Sequence, residues 1–266
     1  MEREISMSSS YETLIVEIKD RIGSITLNRP EKFNTFSTQL GKELNQCLRA
    51  MDEDPDVGVV IVKGAGKAFS TGIDIAEFPG KSKAEYKAWI SGMEEMHQTI
   101  AAMGTPVIAM VHGHAVANGA GLMFAADFAF VSENAKIGTT AINVGLLCTG
   151  PIIPISYGLG KKKVLELLLS GDMIDAKEAE SLGLVNKVTS PEKLEEETYA
   201  FARKLLAKSP FVMKLGKQFY YKMLDLPFKE RFAENSEMFS DLCTSEDAHE
   251  GVAAFLEKRT PDWKGK

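Results

Sequence analysis

Cysteine is scarce in this chain. Cys47, Cys148 and Cys243 stand far apart, and with His97, His112, His114 and His249 they form neither a C-x-x-C pair nor a zinc spacing. A disulfide scaffold and a structural-zinc fold are thereby excluded, no metal site is expected, and the reading is a cytoplasmic, reducing setting. Blocks of basic residues are missing as well: 31 Lys and Arg against 37 Asp and Glu leave a net charge of −6, and no five cations run together. That excludes a nucleic-acid or anionic-membrane surface as the main business of the protein. No stretch reaches the roughly 18 apolar residues that span a bilayer, and the acidic opening Met1-Glu2-Arg3-Glu4 has no apolar signal region. Residues 1–10 read as a disordered leader. Internal repeats and low-complexity segments are absent too.

What is present is the composition of a globular protein: 266 residues, 44% hydrophobic and 26% charged, enough to bury one large core with an appendage. Leu14 to Ile18 and Ser24 to Leu27 are short β-branched runs around a turn, a predicted hairpin. Leu40, Leu44, Cys47/Leu48 and Met51 lie on one helical stripe that stops at Asp54-Pro55. Val57 to Val62 and Pro106 to Val111 are continuous apolar runs, as in strands buried on both faces. Between them, after a loop around Pro79-Gly80-Lys81, Trp89, Met93, Met96 and Ile100 predict a helix. Strands alternating with helices give an α/β fold.

After Phe128 to Val131 the pattern reads as mostly helical, with starts at Asp175 facing Glu178, at Ser190-Pro191-Glu192 and at Thr244 facing Asp247. The expected organisation is a leader over 1–10, an α/β core over 11–199 and a helical region over 200–266. That last region carries Phe211, Phe219, Tyr220, Tyr221, Met223, Phe228, Phe239 and Phe255, more apolar surface than one helix layer needs, which points to an oligomer interface.

Two segments are candidates for chemistry. Lys67-Ala68-Phe69-Ser70-Thr71-Gly72-Ile73-Asp74-Ile75 follows a buried strand and its Gly64-x-Gly66 turn, where loops of α/β sheets face a ligand crevice. The turn has neither the third glycine of a dinucleotide site nor a P-loop Lys-Ser/Thr, and on its own it is equally an ordinary strand-to-helix turn. His112-Gly113-His114-Ala115-Val116-Ala117-Asn118-Gly119-Ala120-Gly121 is a small-residue elbow before an apolar helix starting near Asn118 or Gly119. Such an elbow serves tight packing, or it aims unpaired amides and the positive end of a helix dipole at a ligand. Two N–H donors from separate segments are what an oxyanion hole needs.

Leu27-Asn28-Arg29-Pro30-Glu31-Lys32-Phe33-Asn34, Ala68-Phe69-Ser70-Thr71-Gly72-Ile73-Asp74-Ile75, Pro106 to Gly113, Leu169 to Val185 and Glu250 to Arg259 together resemble, in order, the motifs of the crotonase (enoyl-CoA hydratase/isomerase) superfamily. The resemblance covers about residues 13 to 263. It implies a spiral of ββα units with a C-terminal helical trimerisation region, assembling as a homotrimer or a dimer of trimers. It implies an acyl-CoA substrate and no separate cofactor, coenzyme A being part of that substrate. The oxyanion donors would be the backbone N–H groups of Ile73 and Asn118. Lys32, Phe33, Ala68, Ser70, Gly72, Asp74, Ile75, Gly119 and Ala141 would line the substrate and CoA path, with Phe255 and Lys258 reaching a neighbour's CoA. Lys258 alone also reads as a solvated helix charge.

The chain departs from that family where it matters for hydration, which needs two carboxylates near the thioester. Gly121 stands at the first carboxylate position and Ala141 at the second. Asp74, Glu77, His112, His114, Asn143 and Cys148 are candidate substitutes, each with a structural alternative. The expected function is an acyl-CoA thioester enzyme of the hydratase/isomerase family that stabilises an enolate. The alternatives are a decarboxylase or hydrolase of malonyl-type esters on the same fold, and a non-catalytic acyl-CoA binder.

Overall fold

Alternating buried and exposed positions, Leu14, Val16 and Ile18 inward, set the strand that opens the core. The computed structural model describes residues 5–6 and 11–266; the expected leader lies outside them except for β1 (Ile5–Ser6), which pairs antiparallel with β2 (Leu14–Lys19). β2 and β3 (Ile22–Leu27) form the predicted hairpin, turned through Asp20 and Arg21 at positive φ. α1 (Thr38–Glu53) follows, capped by Ser37 Oγ accepting from the Leu40 N–H at 3.1 Å.

A repeated unit then winds the chain into a spiral. β4 (Val59–Gly64) is followed by the short β5 (Ala68–Ser70) and α2 (Lys83–Ala102). β6 (Val107–Val111), β7 (His114–Val116) and α3 (Asn118–Ala125) repeat the pattern. β8 (Phe128–Ser132) and β9 (Lys136–Gly138) begin it a third time, leading to α4 (Thr149–Ile152) and α5 (Lys161–Ser170). β10 (Met173–Asp175), α6 (Ala176–Ser181) and β11 (Lys187–Thr189) close the strand-bearing region. In each unit the long strand enters a seven-stranded sheet ordered β1-β2-β3-β4-β6-β8-β11, and the short strand enters a four-stranded sheet ordered β10-β9-β7-β5. The long strands from β3 onward are parallel.

The continuous apolar runs have the predicted cause. Val60 and Val62 face a core shared with α1, α2 and α3, while Val59 and Ile61 face a second apolar layer with Ile108, Phe130, Leu194 and Ala202. α1 and α2 meet closely at Gly41, where a Cβ would stand 3.3 Å from the Gly92 carbonyl oxygen.

α7 (Leu194–Leu206), α8 (Pro210–Leu224), α9 (Phe228–Thr244) and α10 (Glu246–Glu257) complete the chain. Residue 200, the expected start of the helical region, lies inside α7, and α7 itself packs on the sheet through Leu194 and Ala202. α8 is tied to the sheet by a buried ion pair, Lys217 Nζ to Asp127 Oδ2 at 2.7 Å, with the Tyr221 hydroxyl donating to the same carboxylate and the Val107 N–H donating at 2.7 Å. Three short strands, β9, β10 and β11, interrupt the first part of the tail predicted to be mostly helical. The start predicted at Thr244 moves one residue: Ser245 Oγ accepts from the Ala248 N–H, whereas Thr244 ends α9 and donates to the Asp241 carbonyl. Asp175 caps α6 as predicted, accepting from the Glu178 N–H at 2.8 Å. Among the described residues no helix is long and apolar enough to cross a membrane.

Candidate active site

The loop after β3 and the loop after β5 are pinned together by side chains of the first. The buried Asn34 amide donates to the carbonyls of Ala65 and Ala68 at 2.8 and 2.9 Å, and its oxygen accepts from the Arg29 N–H. Arg29 also pairs with Asp74 at 2.8 Å, and this hydrogen bond holds the Asp74 carboxyl below its ordinary range against the pull of burial. Asp74 further accepts from the Ala76 N–H, so it caps a short turn as well as pairing.

Ile73 lies in a one-residue parallel bridge with the fully buried Phe36. Phe36 donates to the Gly72 carbonyl at 2.7 Å and accepts from the Asp74 N–H at 2.8 Å. Peptide groups alternate in direction along an extended segment, so the Ile73 N–H points away from Phe36. Among the described residues it meets no acceptor.

The second elbow has the same outcome by another route. Asn118 is the first residue of α3, where an N–H has no intrahelical partner, and it too meets no acceptor among the described residues. The turn into the helix is made by Ala117 at φ 48°, a strained region for a residue with a Cβ. The Ala117 N–H is anchored to the Gly138 carbonyl at 2.8 Å. Gly72, at φ +102°, lets the two elbows touch: a Cβ there would lie 2.9 Å from that of Ala117. Gly119 is equally constrained, since its Cβ would run into the Ser70 carbonyl. Two N–H groups on adjoining segments are thus without an acceptor among the described residues. The Asn118 side-chain nitrogen is also buried without a partner.

The other expected residues divide. Lys32, Phe33 and Ile75 are exposed at the rim, Phe33 by 53% and Ile75 by 69%. Ala68 and Ser70 are buried, Ser70 donating to the Asn34 carbonyl at 2.7 Å and the Ala68 carbonyl accepting from the Asn34 amide, so both hold the loops together. Ala141 is half-buried in a short turn before α4. Phe255 and Lys258 end α10, which packs mainly on α8 and α9, so a single protomer does not bring them to the loops.

The candidate substitutes for the carboxylates are mostly occupied. Burial pulls Glu77 upward, but hydrogen bonds from Thr38 and the Trp89 indole outweigh it and keep its carboxyl low; it ties the loop to the starts of α1 and α2. Asn143 donates to the Gly171 carbonyl and the His112 ring meets the Gly66 carbonyl at 3.0 Å. His114 is exposed. Cys148 is buried, and burial raises its thiol. Among the described residues no group of three or more His, Cys, Asp or Glu is placed to hold a metal ion.

Two titratable residues missed in the sequence stand near the vacant carboxylate position at Gly121. A Cβ on Gly121 would lie 2.9 Å from His97 Nε2 and 3.1 Å from Pro151. Nε2 is buried without a well-aligned hydrogen bond; burial pushes the imidazole down to about 4, outweighing the upward pull of the Gly121 backbone, so it is neutral at neutral pH. One turn earlier on α2, the Glu94 carboxylate fills the space a Cβ on Gly150 would need, with its acidity weakened by burial. The apolar stripe Trp89, Met93, Met96, Ile100 marks the helix but gives no sign that its flank meets α3 and α4.

Known proteins agree with this architecture. The family model described as enoyl-CoA hydratase/isomerase matches residues 17–266. A "probable enoyl-CoA hydratase" of Rhizobium meliloti is 37% identical over 258 residues, spanning 96% of this chain and 99% of that protein. The mitochondrial "enoyl-CoA hydratase domain-containing protein 3" of Rattus norvegicus is 33% identical, over 92% of this chain and 82% of its own length. Among solved structures, an enoyl-CoA hydratase of Mycobacterium smegmatis superposes with a TM-score of 0.92 at 33% identity, covering 95% of this chain and 99% of that one. The human domain-containing protein 3 does so with 0.90, also at 33% identity, over 95% of this chain and all of that one. With the ββα spiral and its two joined elbows, these likenesses establish that the chain belongs to the enoyl-CoA hydratase/isomerase family, the crotonase superfamily.

Proposed function

We propose that this chain is an acyl-CoA thioester enzyme that holds the thioester oxygen between the N–H groups of Ile73 and Asn118. The observation that carries the reading is the pair of unpaired donors on segments joined at Gly72 and Ala117. Negative charge that builds on the oxygen as an enolate forms is stabilised there without reorganisation, and α3 adds the positive end of its dipole. Lys32, Phe33 and Ile75 at the rim suit the CoA moiety, with Gly119 and Ala141 beside the acyl group. The reaction of first choice is addition of water to, or isomerisation of, an enoyl thioester. The absence of a carboxyl at Gly121 and Ala141 favours a second reading, decarboxylation of a malonyl-type ester, in which the hole alone stabilises the enolate left by CO₂.

The exposed Phe228, Phe232 and Phe239 of α9 suit burial between protomers of a homotrimer or a dimer of trimers in the cytoplasm, where Phe255 and Lys258 reach a neighbour's CoA. Light scattering should give a concentration-independent trimer or hexamer mass. The function is tested by incubating the protein with crotonyl-CoA, a 3-hydroxyacyl-CoA and methylmalonyl-CoA and weighing the products. Gain or loss of water supports the first reading and loss of CO₂ the second. A chain that binds the esters and leaves all of them unchanged is a binder.

A further inference from the structure

The usual carboxylate positions are held by Gly121 and Ala141, which carry no proton, yet the space around them is not apolar. His97 Nε2 sits 2.9 Å from where a Gly121 Cβ would be, on the face of α3 one turn from the Asn118 donor. The nitrogen itself is buried in a half-buried residue, and its one polar neighbour is the Gly121 backbone, a contact too poorly aligned to satisfy it fully. Glu94, half-buried, has no hydrogen-bond or ion-pair partner among the described residues. It lies against Gly150 and acts electrostatically on Cys148, whose sulfur is in turn hydrogen-bonded by the Ala141 backbone. His97 therefore stands next to the vacated Gly121 position, and Glu94, one turn away on α2, lies against Gly150, next in sequence to the Pro151 that also meets Gly121. His97 also lines a cleft of about 910 Å³ with Met123, Asp127 and Lys217, so it stands between the cleft and Gly121.

We propose that His97 and Glu94, one turn apart on α2, replace the two missing carboxylates as the proton-handling groups of this site. The proposal rests on the thioester reading above. In hydration of an enoyl thioester, the water oxygen bonds to C3 while His97 Nε2 takes the water's proton, and the π pair of C2=C3 moves to place negative charge on the thioester oxygen. That pair then returns to bond C2 to the proton of the Glu94 carboxylic acid. Transfer of the proton from imidazolium to the Glu94 carboxylate restores both groups, and one water has been added with no oxidant or reductant.

The surroundings leave these two groups little competition. α3 contributes no titratable side chain to α2. The segment before α4 brings Cys148, α1 brings Arg49 already paired with Glu95, and on α8 Lys217 and Tyr221 are both engaged by Asp127, while Tyr157, Tyr220 and Asp225 line the cleft that His97 borders.

The test uses the full chain with butyryl-CoA as a binding probe and crotonyl-CoA in D₂O as the reactant. His97→Gln and Glu94→Gln should bind butyryl-CoA within threefold of the parent and each lose about 10²- to 10⁴-fold in water addition, the range for removal of a general acid or base. Free imidazole should restore part of the rate to His97→Ala, which a merely structural histidine would not predict. In the parent, the imidazole resonance of His97 should titrate near pH 4 and move when butyryl-CoA binds, a readout independent of whether the variants fold. Rates within threefold of the parent in the folded variants overturn the proposal. So does a parent that binds butyryl-CoA but neither hydrates crotonyl-CoA nor exchanges C2 protons, an outcome that leaves the thioester reading standing. A parent that fails to bind butyryl-CoA overturns the thioester reading itself and the proposal with it.

Discussion

Gly72 and Ala117 approach so closely that a single added methyl on the glycine would lie 2.9 Å from the alanine Cβ. That contact joins the segments that carry the proposed donors, Ile73 and Asn118. Gly72→Ala combines this overlap with a φ of +102°, and it should cost about 2–4 kcal/mol in a urea titration, from overpacking plus backbone strain. Turnover of any thioester substrate should fall as well, since the elbows must part.

Ile73→Pro removes one proposed donor and leaves both Phe36 hydrogen bonds, which use Gly72 and Asp74, available. Far-UV circular dichroism should be unchanged, while the catalytic rate drops about 10²- to 10³-fold, the usual loss for one oxyanion donor. An unchanged rate would remove Ile73 from the hole.

Asp74→Asn breaks the pair with Arg29 and should lose about 2 kcal/mol at pH 7, as for a charge-assisted hydrogen bond. The folded carboxyl titrates below its unfolded value, so its contribution is complete above the unfolded value and is lost as pH falls through the folded one. Urea midpoints of parent and variant should therefore converge below about pH 4, near the carboxylate's reference value.

Re-creating a carboxylate at Gly121 is not a simple restoration here, because its first side-chain atom would press on His97 and Pro151. Gly121→Glu alone should lower stability by about 1–3 kcal/mol, the cost of overpacking. Adding His97→Ala should recover most of that loss in thermal denaturation. Equal melting temperatures of the single and double variants would contradict the placement of His97.

Much of this architecture was legible because the signals were long. The sheet interior showed in Val57 to Val62 and Pro106 to Val111, whose unbroken apolar character follows from burial on both faces. The three-residue strands β5, β7 and β9 were not separately legible: too short for periodicity, they are recognised only by pairing with one another. The two elbows were legible from their small residues, whereas the freedom of the Ile73 N–H depends on Phe36, distant in sequence. His97 and Glu94 escaped because their meaning lies in what α3 and α4 lack opposite them, and an absence across a helix interface leaves no mark on the helix itself.

The bridge to Phe36 has a consequence for how this site responds to change. Donors supplied by the main chain are indifferent to the side chains they carry, so a saturation scan should find position 73 permissive to all but proline and its neighbour Gly72 intolerant. A map of sensitivity would then surround the proposed seat of the thioester oxygen without marking the atoms that touch it, so that the proton carriers could change while the proposed seat stays the same.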